Sequence, residues 1–166
     1  MRAFAVTVLV FAALAVPAGL IWSWVSPRAP YQVTGEGTVL ADPSTQALIA
    51  ADGWFTVITG AIGLIGGAVA WFVRRDLSVA LVLGLCAGGV IGAYVTRWTG
   101  TTFTIGPVAV EAAAPGTKVV AGALQLKATG ALVAWPLLAV AVFGLLEGMH
   151  GYREAPLREP FGGGLT

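Results

Sequence analysis

Apolar and polar positions in this chain do not alternate. The apolar ones run together in four long blocks, Ala3–Val25, Trp54–Val73, Leu77–Thr96 and Ala128–Leu146. Each is close to the roughly 20 residues that a helix needs to cross a hydrocarbon layer about 30 Å thick. No Asp, Glu, Lys, Arg or His lies inside any block, whereas pumps and proton relays usually hold such groups at membrane depth. The pattern predicts an all-α membrane protein, a four-transmembrane-helix bundle. Arg2 and Ala13-Leu14-Ala15 give the first block a superficial likeness to a cleavable signal peptide. Its apolar run continues past that point to Trp22 and Trp24, beyond the usual 7–15-residue signal core, so a retained anchor is expected. Pro17 should bend it, with neighbouring helices satisfying the freed carbonyl.

The connections are unequal. Arg74–Asp76 alone joins the second and third blocks, which should make them antiparallel neighbours with Asp76 capping the third. Residues 26–53 and 97–127 form long loops. In the first, YQVT and TVLA flank Gly35-Glu36-Gly37, the pattern of a hairpin with a glycine-containing link. Asp42-Pro43 then resembles a helix start, with a short helix expected to Ala50. In the second loop, Pro107–Ala114 suits a helical turn and Pro115-Gly116 a break. Thr117–Leu126 should be extended and pair with the hairpin. The two loops would build a small extracytoplasmic α/β cap. Residues 1–148 then form the transmembrane domain, and 149–166, rich in charge, Pro and Gly, a disordered cytoplasmic tail.

Small residues recur at four-residue intervals, which lines them on one helix face and lets backbones approach closely where lipid supplies no hydrophobic drive. Gly63 and Gly67 do this in the second block and Gly84, Gly88 and Gly92 in the third. Gly144 and Gly148 do so in the fourth, and Ala15, Gly19 and Ser23 in the first. They mark packing faces, either within one chain or in a homo-oligomer. No glycine-rich stretch ends in Gly-Lys-Ser or Gly-Lys-Thr as a phosphate loop does.

Composition sharpens the class. The chain is 57% hydrophobic and 10% charged, against about 25% charged in soluble domains. Its mean hydropathy is +0.86. A net charge of +1 offers no basic field for nucleic acid. The single cysteine, Cys86, sits in an apolar run and reads as a small hydrophobe. Arg2, Arg74, Arg75, Arg153 and Arg158 fall on one side of the blocks, and Arg28, Arg97, Lys118 and Lys127 on the other. The short arginine turn and Arg2 are expected to place both termini of a multi-pass membrane protein in the cytoplasm.

Candidate chemistry is sparse. In IAADGWF, residues 49–55, Asp52 stands where an N-cap of the second helix belongs, with Trp54 and Phe55 at headgroup depth. Asp52, Arg97 and Lys127 should share one depth. They form a candidate polar cluster that either ties the cap to the bundle or binds an anionic headgroup. Glu147-Gly148-Met149-His150 contains one Glu-x-x-His, where carboxylate-bridged metal bundles need two copies and further Glu residues; it reads as a helix-end polar cluster. No catalytic triad, metal site or cofactor is expected.

The chain resembles a family of small four-span actinobacterial membrane proteins of unknown function, some of them labelled transporter permeases. The likeness rests on WSWVSPRAP, IAADGWF, the turn VRR, Thr96-Arg97-Trp98 and LQLKATGALVAWP, covering about Trp22 to Leu146. It implies the same architecture and a plasma-membrane address, and carries no catalytic residue. Trp135-Pro136 matches the family pattern, physically a kink for neighbouring side chains to heal. The expected function is that of a non-enzymatic accessory or scaffold component of the cell envelope, contacting membrane lipid and a membrane-protein partner or a second copy. The alternative is a small transporter component.

Overall fold

The computed structural model describes residues 2–34, 37–41, 46–73, 79–103, 105 and 119–154. Helix α1 (Arg2–Val25) leads into strands β1 (Pro30–Thr34) and β2 (Gly37–Leu40). Helices α2 (Ala47–Val73) and α3 (Val79–Thr102) follow, then strand β3 (Val119–Ala121). A 3-10 turn (Thr129–Val133) feeds directly into α4 (Ala134–Glu154). Among the described residues four helices are long and apolar enough to cross a membrane. Between them the exposed surface is apolar: Leu9 is 68% exposed, Ile65 64% and Phe72 68%. A mantle of that kind suits lipid and would be an aggregation liability in water.

The strands form one antiparallel sheet in the order β2-β1-β3. In the hairpin Tyr31 pairs with Leu40 and Thr34 with Gly37. Gly37 therefore belongs to the strand, and the link is two residues rather than three. Of the expected extended segment Thr117–Leu126, the strand Val119–Ala121 pairs with this hairpin, with Tyr31 opposite Val120.

Several expected boundaries move. The second helix starts at Ala47, not Trp54, so the separate helix ending at Ala50 and the second span are one element. Ala47 to Ala51 are helix-favouring or neutral residues, and Gly53 costs only about 1 kcal/mol within 27 helical residues. The third helix reaches Thr102 rather than Thr96, and the fourth reaches Glu154, so residues 149–154 of the expected disordered tail are helical. Pro136 lies in the first turn of α4, just after the 3-10 turn. There its missing N–H breaks no interior helical bond, so the expected mid-helix kink is not needed. The expected features at Asp76, Asp42–Pro43, Pro107–Ala114 and beyond Glu154 lie outside the described residues.

Helix pairing also departs from the expectation set by the short Arg74–Asp76 turn. α1 packs chiefly on α3 and α2 on α4, with α3 against α4; α2 and α3 touch little. Both main pairs are parallel. Phe4 lies beside Gly84, Val8 beside Gly88 and Gly19 beside Gly100, while Trp135 lies beside Gly63 and Ala139 beside Gly67. Short connections constrain where a helix begins, but side-chain shape selects its partner. A Cβ on Gly63 would stand 2.5 Å from the Trp135 carbonyl oxygen, and one on Gly67 would collide with the Ala139 carbonyl. On α3, Gly84 and Gly88 face the α1 backbone and Gly92 the Trp135 ring. Gly144 and Gly148 instead face open space on α4, so their four-residue spacing makes no seam within the chain.

Two core clusters result. One gathers Phe11, Ala15, Leu81, Leu85, Trp135, Ala139 and Phe143, with the Phe11 and Trp135 rings 5.4 Å apart. The other, nearer the sheet, gathers Trp22, Ala51, Phe55, Ala93, Leu124 and Leu126.

Candidate functional site

The sheet end of the bundle concentrates the polar contacts that join distant parts of the chain. Trp22, near the end of α1, is fully buried. Its Nε1 donates to the Ala51 carbonyl at 2.8 Å, and its ring meets Phe55 edge-on with centroids 5.1 Å apart. Phe55 is 0% exposed; it is a core residue, and of the two adjacent aromatics only Trp54 reaches the surface. Ser23 Oγ donates to the Phe103 carbonyl at 2.6 Å and accepts from the Ile105 N–H at 3.0 Å. This one hydroxyl holds the chain leaving α3 against α1.

Asp52 occupies the second turn of α2, not its cap. Its two carboxylate oxygens accept from the backbone N–H groups of Lys127 and Ala128, at 2.9 and 2.8 Å. Those amides immediately precede the 3-10 turn at Thr129, whose flanking residue Ala128 supplies no side-chain cap. The carboxylate therefore caps the 3-10 turn that starts the fourth helix, from a neighbouring helix. A negative group facing unpaired amides at a helix start is favourable in both charge and hydrogen bonding. In sequence, the signal for this role was the Lys-Ala-Thr-Gly start itself, which carries no capping residue at position 128.

The structure joins two members of the expected cluster, Asp52 and Lys127, through main chain rather than through an ion pair. Arg97 stands apart, half-buried on α3. It lines an outward-facing groove of about 720 Å³ between α3 and α4, together with Tyr94, Val90, Cys86, Thr129 and Leu137. A second groove of about 510 Å³ lies between α1 and α2, floored by Phe11, Leu81 and Leu85 and lined almost entirely by apolar side chains.

Two buried hydroxyls inside the bundle bond to carbonyls. Thr59 Oγ1 donates to the Phe55 carbonyl at 2.7 Å, and Thr96 Oγ1 to the Ala15 carbonyl at 3.2 Å across the α1/α3 seam. Four side-chain groups remain buried without a partner among the described residues: Ser26 Oγ, Thr99 Oγ1, Trp135 Nε1 and, on Arg28, Nε with Nη2. At the far end, Glu147 accepts from Trp71 Nε1 at 3.1 Å, and the His150 ring lies edge-on to Trp71 at 5.9 Å. The Glu-x-x-His residues thus gather around a tryptophan. Among the described residues no set of three His, Cys, Asp or Glu could hold a metal ion.

Comparison with known protein families, with curated proteins and with solved structures yields no match.

Proposed function

We propose that this chain is a multi-pass protein of the bacterial plasma membrane, with both termini cytoplasmic, acting as a non-enzymatic accessory or scaffold component of the cell envelope. The bilayer reading is supported by the four apolar helices and their apolar mantle. The scaffold reading rests on one observation: the Asp52 carboxylate spends both oxygens on holding the start of α4. Trp22 and Ser23 act the same way, so these three bonded side chains of the sheet end serve to fix a platform. A rigid surface outside the bilayer, carried on four spans, suits a docking role. A small transporter component is the weaker reading. Thr59 and Thr96, buried in the bundle, are bonded to carbonyls, and both grooves open toward the lipid side.

Crosslinking in native membranes followed by mass spectrometry tests the proposal. A scaffold should give one recurrent partner joined to residues of the two long loops. Crosslinks with no recurrent partner, or solute flux through proteoliposomes of the purified chain, would overturn it.

A further inference from the structure

The α3/α4 groove combines a cation with an apolar trench in the order that a lipid presents its own parts. Arg97 and Thr129 sit at the sheet end, Tyr94 next to them, and Val90, Cys86, Leu137, Val140 and Ala141 continue away from it. Arg97, Tyr94, Val90 and Cys86 follow one another at three- and four-residue steps and so share a face of α3. Eleven residues of helix separate Arg97 from Cys86, about 16 Å of rise. That is close to one leaflet's share of a hydrocarbon core about 30 Å thick. The one carboxylate of the expected cluster, Asp52, has both oxygens engaged by main-chain amides. Among the described residues no hydrogen bond joins Arg97 to that acid, and Arg97 lines the groove. The α1/α2 groove offers a useful contrast: it is similar in kind but has no charged residue in its lining.

We infer that the α3/α4 groove binds one anionic phospholipid, its headgroup phosphate on Arg97 and one acyl chain along Val90, Cys86 and Val140. Charge complementarity selects the occupant. A planar guanidinium can hold a phosphate through two parallel N–H···O bonds, and a lower local dielectric strengthens the contact. Thr129 is placed to give the headgroup a further hydroxyl contact. The inference rests on the helices lying in a bilayer, as proposed above.

The test is native mass spectrometry of the full chain released from nanodiscs containing equal amounts of phosphatidylglycerol and phosphatidylcholine with matched acyl chains. Wild type should keep one phosphatidylglycerol in preference to phosphatidylcholine by about fivefold, the worth of one cation near the surface. Arg97→Gln should bring the ratio to about one, and Arg97→Lys, which keeps the charge but loses the two-point contact, should give a value between the two. Val90→Trp, which fills the trench, should remove retained lipid of both kinds while helical content is unchanged. Arg2→Gln, at the opposite end of the bundle, should leave the preference intact. Equal retention of the two lipids by wild type, or a preference that survives Arg97→Gln, overturns the inference. So does high-yield Cys86–Cys86 disulfide formation in nanodiscs under mild oxidation, which would put a second copy in the groove. Failure of the bilayer reading is distinguishable, because that protein would stay monodisperse in buffer without amphiphile.

Discussion

The seams of this bundle and its flanks are built from the same kinds of residue and behave differently. Along α1/α3 and α2/α4 the small residues meet backbone: Gly63 and Gly67 lie on Trp135 and Ala139, Gly84 and Gly88 on Phe4 and Val8. On the flanks, between α1 and α2 and on the outer side of α3/α4, large side chains stand apart and leave grooves. The difference shows that glycine spacing alone does not define a seam. Gly144 and Gly148 have the spacing and face open space. What makes a seam is a partner backbone close enough that a methyl group cannot be inserted, because close atomic contact is what gains dispersion energy.

The largest break in this contrast should come from Gly67→Val, whose Cβ would collide with the Ala139 carbonyl. Overpacking against backbone should cost about 3 kcal/mol, seen as loss of the cooperative transition in a thermal melt followed by circular dichroism in detergent. Asp52→Ala comes next. It leaves the Lys127 and Ala128 amides without their acceptor and should cost about 2 kcal/mol. Faster hydrogen exchange confined to the start of the fourth span would separate this from general unfolding, and unchanged exchange there would refute the capping role. Trp22→Phe keeps a ring against Phe55 but removes the donor to the Ala51 carbonyl. About 1 kcal/mol is expected, read as a lower melting temperature. Gly148→Ala should be the smallest, neutral or stabilising by less than about 1 kcal/mol. A clear destabilisation there would mean that this face is covered by another chain in the membrane.

The linear chain by itself determined that there would be four apolar helices, because length and unbroken apolarity answer directly to the thickness of a hydrocarbon layer. It also carried the hairpin and an extended stretch in the second loop, since YQVT, TVLA and VVAGALQL bear local strand and turn signals. It did not determine who packs with whom. The three-residue link at Arg74–Asp76 argued for α2 beside α3, yet surface shape over the whole helix length brought α2 to α4 and α1 to α3. Nor could it assign Asp52, whose position next to Gly53 and two aromatics imitates a cap for its own helix. The amides it serves lie 75 and 76 residues away. Local propensity reads along the chain, whereas capping from a neighbour and backbone-to-backbone seams exist only between segments that folding brings together.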